Sequence, residues 1–335
     1  MVRRRVLLAG VAAAVVGGGA FAYPILRDKW DDLDPLLPAA PAGPSGATDG
    51  WVVVAYDGLN ESFTLNPETG TYRQIPFPHG YADTSPDLRY ALLYERDAAQ
   101  RQVGLALYDT VAGRIRHKLP LTAAVARWSP DGRYLAVLVL DGGDAGQVDF
   151  TVTFVNLTTG RTTAVAATMP ASGVPERTGV LSTRWLGGRL LVPPTAGDEA
   201  RPLLLTPGGT ATTLPAWPGR STEGAVLGGD FVVLKDDPAD VYDVFTHADP
   251  RTGRVLARHT FEQVLPEGKD AAEVAWLGPD RVLFREGTAL LVRDVPAVAR
   301  RQVGTLPSAA GGVAVAAAKG LPPAARAGGA IAFPA

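Results

Sequence analysis

Carboxylates are the side chains in this sequence that could most readily do chemistry, and they recur in its polar turns. Neighbouring carboxylates could hold a hard cation such as Ca²⁺ together with backbone carbonyls. The stretch LDGGDAGQVD comes nearest to such a site, but it lacks the full alternating ligand pattern of a calcium loop, so we predict no metal site and no cofactor. The carboxylates of interest are Glu95, Asp97, Asp141, Asp144, Asp198, Asp236, Asp237 and Asp240.

Sequence signatures of the common hydrolytic sites are missing. The chain has no cysteine, which excludes disulfides, thiolate metal sites and a cysteine nucleophile. No His-Glu-x-x-His and no Gly-x-Ser-x-Gly occurs. The glycine-rich pieces lead into no helix, so they are tight turns rather than phosphate cradles. The four histidines are His79, His117, His247 and His259.

The N-terminal region has the layout of an export signal. Three arginines precede an uncharged run from Val6 to Ala22, which ends in Ala-Phe-Ala. As a helix this run rises about 26 Å, less than a hydrocarbon core of about 30 Å. We expect a signal peptide over 1–22, with an uncleaved membrane anchor as the alternative. Residues 23–50 are rich in Pro, Ala and Gly and predict a linker. These features predict an extracytoplasmic protein. It is not expected to be a lipoprotein, because the chain has no cysteine to carry the lipid.

A repeated turn shows how the polar residues are positioned. RWSPDGRYLAVLVL, starting at Arg127, has a near copy in DTSPDLRYALLYE, starting at Asp83. Three weaker copies follow, and the five lie roughly 40–60 residues apart. Each is a short apolar run, a turn of Pro, Asp or Gly, and a strand-like run. The residues before the five turns are Thr84, Trp128, Trp185, Val226 and Trp276.

A second hairpin follows most copies of the turn, which makes four short strands per repeat. This arrangement predicts an all-β propeller over 51–335. Residues 51–80 offer three strands without a preceding turn, so we expect the C-terminal tail to supply their inner strand and join the two ends. Six blades result; seven are possible if the tail forms its own.

The stretch SPDGRYLAV resembles the blade repeat of TolB-like propellers, distant relatives of WD-repeat propellers. Two copies, at 85–94 and 129–138, are good, while the other three lack the Ser-Pro-Asp-Gly core. The resemblance covers residues 51–335 in architecture. It implies the fold and a binding role of the kind that TolB-like domains serve, but no activity.

The predicted blades sort the charges of their turns onto two faces. Turns between second and third strands carry the carboxylates named above, whereas turns between third and fourth strands carry Arg114, Arg116 and Lys118 and further arginines. Opposed charges of this kind can orient a charged partner. The alternative is that polar turns are simply solvated. Trp128, Trp185 and Trp276 share one inner-strand position. They are wedges between blades or, alternatively, a ring of stacking groups around a central pocket.

We therefore predict an exported, non-catalytic scaffold that binds a protein or a cell-envelope component. The alternative is a propeller enzyme, lyase-like or hydrolase-like, acting on an extracellular small molecule, glycan or peptide, with His79 near the channel mouth. A third possibility is a purely architectural domain held at the membrane. The net charge of −2 favours no nucleic-acid partner. The sequence does not determine the oligomeric state.

Overall fold

The described residues form six antiparallel sheets of four strands each. The computed structural model describes residues 51–57, 61–97, 99, 101–119, 123–142, 147–170, 183–193, 201–217, 226–228, 231–235, 242–262, 271–278, 281–294, 300–306, 313–317 and 321–328. The predicted signal segment and linker lie outside these ranges. No helix within them has the length and apolar character needed to cross a membrane.

Each sheet is one blade, and its strands are consecutive except in blade 1. Blade 1 has the order β24-β1-β2-β3, and blades 2 to 6 contain β4–β7, β8–β11, β12–β15, β16–β19 and β20–β23. The strands of the first three blades are β1 (Trp51–Asp57), β2 (Ser62–Leu65), β3 (Tyr72–Gln74), β4 (His79–Thr84), β5 (Tyr90–Arg96), β6 (Gln102–Asp109), β7 (Arg114–Leu119), β8 (Val125–Trp128), β9 (Tyr134–Gly142), β10 (Gln147–Asn156) and β11 (Thr162–Pro170). The remaining elements are β12 (Arg184–Leu186), β13 (Arg189–Val192), β14 (Leu203–Leu205), β15 (Ala211–Thr213), β16 (Val226–Gly228), β17 (Phe231–Lys235), β18 (Tyr242–Ala248), β19 (Val255–Glu262), β20 (Ala271–Gly278), β21 (Arg281–Glu286), β22 (Ala289–Asp294), β23 (Arg300–Thr305), β24 (Val313–Ala317) and the short helix α1 (Pro323–Gly328).

The middle strands are apolar on both faces because each blade packs against two neighbours. In β5, Leu92 packs toward blade 3, whereas Ala91 and Leu93 pack against Ile75 of the preceding connection. All three β5 residues are fully buried. Alternate side chains of a strand point to opposite faces, so a continuous apolar run is what a sheet covered on both sides requires.

The repeated turn has the same hydrogen bonds in its two good copies. In blade 3 the Ser129 hydroxyl donates to Asp131 (2.6 Å) and accepts from the Tyr134 amide (2.8 Å). The Gly132 amide donates to the Ser129 carbonyl, and Gly132 has a φ of 68°. That left-handed conformation suits glycine. The Ser-Pro-Asp-Gly sequence therefore encodes the hairpin that connects an inner strand to the second strand.

Blade 2 places Leu88 at the position of this glycine, with a φ of 60°. A left-handed conformation costs a residue with a side chain about 1–2 kcal/mol. The Leu88 side chain is only 2% exposed and packs with Val52, Val54 and Leu65 of blade 1. Burying a leucine stabilises by roughly 1.5–3 kcal/mol, which offsets the backbone cost.

The predicted pairing of the C-terminal strand with the first strand is observed. β24 pairs antiparallel with β1, with Val315 opposite Val53, so β24 is the inner strand of blade 1 rather than part of a seventh sheet. Side-chain contacts join each blade to the next and blade 6 to blade 1. The rings of His247 and Trp276 contact each other, and pairs that share one buried cluster are Leu88 and Val54, Leu92 and Trp128, Phe154 and Leu190, Leu204 and Ala248, and Leu283 and Val53.

Candidate functional site

Three charged residues occupy the same repeat position on successive inner strands. Asp83 of β4, Arg127 of β8 and Arg184 of β12 each stand one residue before the position of Thr84, Trp128 and Trp185. β4 contacts β8, and β8 contacts β12, so the three side chains belong to neighbouring blades. The positive charges of the two arginines act to lower the pKa of Asp83, as expected of charged groups that lie near one another.

Asp83 ties blade 2 to blade 3. Its Oδ2 accepts a hydrogen bond from the Trp128 amide at 2.8 Å. Burial raises the pKa of Asp83, although Arg127, the Trp128 and Thr84 amides and Arg184 act in the opposite direction. A carboxylate that accepts backbone hydrogen bonds across an interface is a structural group, because removing it would leave a buried amide without its acceptor.

Arg127 spans three blades with its guanidinium group. Nη1 donates to the carbonyl oxygens of Ala82 in blade 2 (3.1 Å) and of Ala126 (3.2 Å). Nε donates to the carbonyl oxygen of Thr183, at the start of blade 4 (3.3 Å). No carboxylate of the described residues forms an ion pair with Arg127. The guanidinium group of Arg127 therefore donates its hydrogen bonds to backbone carbonyls, and no described carboxylate contacts it to balance its positive charge.

Arg184 carries a second positive charge in the same region. Its Nη1 donates to the Thr183 carbonyl at 2.9 Å. Loss of hydration and, to a smaller extent, the like charge of Arg127 together lower the pKa of Arg184 to about 10. The negative charge of Asp83 opposes this change. Solvent nevertheless reaches much of the residue. Arg184 is thus accessible to solvent, and it stays protonated at neutral pH.

Two tyrosines complete this cluster. Tyr81 lies two residues before Asp83 on β4, and Tyr94 lies on the adjacent strand β5. Burial raises the pKa of both phenols, so both are neutral at physiological pH and can donate a hydrogen bond. The Tyr94 hydroxyl lies 3.5 Å from the Ala124 carbonyl, and the Ala126 backbone amide also interacts with it. We call Tyr81, Asp83, Tyr94, Arg127 and Arg184 the inner cluster.

No sequence prediction marked the inner cluster as a site, although Arg127 and Arg184 each stand directly before a repeat tryptophan. Asp83 stands at the aligned position in the first copy of the turn, so comparing that single column across the repeats would have found it. Tyr81 and Tyr94 carry no such pattern. They join the cluster because β4 and β5 are adjacent strands, with Tyr81 opposite Leu93 in the pairing register.

The described carboxylates of the predicted acidic face have local partners. Glu95 is paired with Lys118, and Asp97 is paired with Arg101 at 2.7 Å. Asp141 accepts a hydrogen bond from the Thr151 hydroxyl at 2.6 Å. Burial raises the pKa of Asp141, and the nearby charge of Asp149 adds to this effect. The other predicted residues, Asp144, Asp198, Asp236, Asp237 and Asp240, lie outside the described residues.

Lys118 does not lie on the opposite face as its sequence position suggested. It stands near the far end of β7, away from the turn before Arg114, and its Nζ contacts Glu95. Because β7 runs the length of the blade, its last residues reach the side that carries the turn between the second and third strands. The predicted separation of charges is therefore wrong for this residue.

The three tryptophans pack between blades. Trp128 is 5% exposed among side chains of blades 2 and 3, such as Leu92. Trp185 packs edge-on against Phe154 of blade 3, with ring centres 5.8 Å apart. Trp276 packs edge-on against His247 of blade 5 at 4.6 Å. The shared repeat position thus brings each ring against the preceding blade.

Structural comparison finds propellers at low identity. TolB from Acinetobacter baumannii is 15% identical, with a TM-score of 0.47 over 80% of this chain and 66% of that one. The propeller domain of the Trilobed protease from Pyrococcus furiosus is 11% identical, with a TM-score of 0.44 over 80% of this chain and 84% of that one. An acylaminoacyl peptidase from Pyrococcus horikoshii is 14% identical, with a TM-score of 0.45 over 80% of this chain and 46% of that one.

Comparison of the sequence with protein-family models and with curated proteins finds no match. The chain spans slightly less than two thirds of that TolB and under half of that peptidase. The assignment as a six-bladed β-propeller rests on the strand order and pairing of the chain itself.

Proposed function

We propose that this propeller is an exported, non-catalytic scaffold that binds a protein or a cell-envelope component. The binding face we assign is the one with the turns between second and third strands and the connections between blades. The observation that carries this proposal is Phe77, which is 74% exposed in the connection between blades 1 and 2.

The backbone around Phe77 is held in place while its ring is left in solvent. The Pro76 carbonyl accepts from the His79 amide at 3.0 Å, and the Pro78 carbonyl accepts from the Arg96 amide at 3.1 Å. Ile75, two residues earlier, is buried. A large apolar ring on a fixed loop has little conformational entropy left to lose on binding. Burying such a ring stabilises a complex by roughly 1.5–3 kcal/mol.

Charged residues follow Phe77's connection on the neighbouring strand. The Arg96 amide bonds to the carbonyl of Pro78, the residue after Phe77, and Arg96 stands between Glu95 and Asp97, the first two carboxylates of the predicted acidic face. An aromatic side chain with a charged surround is the usual composition of a protein-binding surface. The inner cluster supports a non-catalytic role, because Asp83 and Arg127 use their polar atoms to hold blades together.

The experiment that tests this function is an affinity capture from the source organism. The full chain with a C-terminal tag is expressed in its native cells, cross-linked in place and purified, and its partners are identified by mass spectrometry. Phe77→Ala should reduce the recovered partner by about tenfold or more, the loss expected for one buried aromatic side chain. Changing Asp236, Asp237 and Asp240 together to Asn should also reduce recovery if the acidic face contributes.

Leu256→Ala is the matched control. Leu256 is 48% exposed on the outer strand β19, so its truncation removes a similar apolar area from a different part of the surface. It should leave partner recovery unchanged. Equal recovery with Phe77→Ala, with the triple Asn variant and with the unmodified chain would refute the proposed binding face.

A further inference from the structure

We propose that the guanidinium groups of Arg127 and Arg184 bind an oxyanion, a carboxylate or phosphate group of a small solute, at the inner ends of blades 3 and 4. This goes beyond the proposed function and uses a different site. Asp83 and Arg127 lie toward the far end of their inner strands from the connection that carries Phe77.

The balance of charge in the inner cluster favours an anion. Two guanidinium groups, those of Arg127 and Arg184, face a single carboxylate, that of Asp83, which accepts hydrogen bonds from backbone amides. Within the described ranges, neither arginine lies within ion-pair distance of a carboxylate. Among the described residues, one of the two positive charges therefore has no carboxylate as a counter-charge.

The hydrogen-bond donors of the two arginines are only partly used. Arg127 donates through Nε and Nη1, and Arg184 donates through Nη1 to the Thr183 carbonyl. In both residues Nη2 has no acceptor within the described part of the chain. A guanidinium group presents its donors in a planar fork that matches the two oxygens of a carboxylate or phosphate. The Tyr81 and Tyr94 phenols add neutral donors nearby.

The partial loss of hydration raises the free energy of the Arg184 charge when no anion is bound, and it strengthens the attraction of that charge for an anion. Arg184 is accessible to solvent, and nearby protein atoms remove part of the hydration of its charge. An anion bound there would replace water at the two arginines and reduce their mutual repulsion. Attraction between opposite charges is larger in such surroundings than on an open surface.

Calorimetric titration of the full chain with inorganic phosphate, and separately with acetate, tests the site. Sodium chloride at equal ionic strength is the reference. We expect saturable heat with at least one of the two anions. Arg184→Gln should weaken the affinity by about tenfold or more, the cost of a lost charge-assisted hydrogen bond. Without anion, this variant should unfold at the same temperature as the wild type or a higher one, because it has lost a repelling charge.

Arg189→Gln is the matched control, because Arg189 lies on the adjacent strand β13 and is exposed. It should bind the anion as the wild type does. No saturable heat from the wild type, or equal affinity for the wild type and Arg184→Gln, would overturn the proposal. If Arg184→Gln does not fold, phenylglyoxal labelling of the wild type decides the matter. Phosphate or acetate should then protect Arg184 but not Arg189, and equal labelling rates with and without the anions would overturn the site.

Discussion

At the scale of single residues, one side chain organises the turn between the third and fourth strands in several blades. In four blades an Asn or Asp oxygen accepts hydrogen bonds from the amides two and three residues later. A glycine four residues after it has a φ near 69° and donates its amide back to the first residue. The pairs are Asn66–Gly70, Asp109–Gly113, Asn156–Gly160 and Asp249–Gly253. These turns are capped by side chains, as Asx turns are.

Asp109 differs from the equivalent Asn66 and Asn156 because it also pairs with Arg116, at 2.9 Å. Burial acts to raise the pKa of Asp109, but the Ala112 amide and the Arg116 guanidinium outweigh it, so the pKa lies below the ordinary value of 3.8. A lowered pKa stabilises the folded state above that value. This contribution is lost as the pH falls below it.

Asp109→Asn should therefore destabilise the protein at pH 7 by about 1 kcal/mol, the discounted value for a hydrogen-bonded pair with a partly exposed arginine. The amide oxygen of Asn can still accept from the turn amides, as it does in blades 1 and 3. The difference in unfolding free energy from the wild type should shrink below about pH 4. Urea unfolding at pH 7 and pH 3 measures both values. A difference that is the same at the two pH values would contradict the role assigned to Arg116.

At the scale of elements, the sequence predicted the hairpins better than it predicted which face of the propeller each charged residue occupies. The Ser-Pro-Asp turn was recognisable because few other residues can replace its members. Its serine and aspartate make specific hydrogen bonds, and its last residue adopts a left-handed conformation. The Asx turns were harder to see, since Asn and Asp alternate and the residues between them vary. Lys118 shows why face assignment failed: its contact with Glu95 depends on how far β7 extends beyond its turn.

The inner-strand tryptophans give a prediction at this scale. Trp128 is 5% exposed between blades 2 and 3, whereas Trp185 is only partly buried between blades 3 and 4. Trp128→Ala should cost about 3–5 kcal/mol of unfolding free energy, the usual range for a buried Trp. Trp185→Ala should cost less, because less apolar area is lost. Urea unfolding of the two variants gives the comparison, and a larger loss for Trp185→Ala would show that the interfaces do not carry stability as described.

At the scale of the whole molecule, the six-bladed plan was predictable from the sequence and the inner cluster was not. Four strands per repeat, and a first repeat that lacked its inner strand, were enough to predict that β24 joins β1. One column of the repeat contains Asp83, Arg127 and Arg184, but the sequence does not show that these side chains meet, because they come together only when three successive blades are placed side by side. Most of the predicted acidic face falls outside the described residues, so its role stays a prediction.

The pairing of β24 with β1 is the central structural claim, and a disulfide measures it directly. The chain has no cysteine, so Val53→Cys with Val315→Cys introduces the only two thiols. These residues are directly opposite each other, and facing residues of antiparallel strands lie within disulfide range. Val53→Cys with Val313→Cys is the control, because Val313 lies opposite Tyr56 and is roughly 8 Å from Val53.

Mild oxidation followed by non-reducing electrophoresis and peptide mass spectrometry gives the result. The account predicts rapid, nearly complete cross-linking of the Val53–Val315 pair and little of the Val53–Val313 pair. If the first pair fails to cross-link in the folded protein, or if both pairs cross-link at the same rate, the two ends of the chain do not share a sheet in this register.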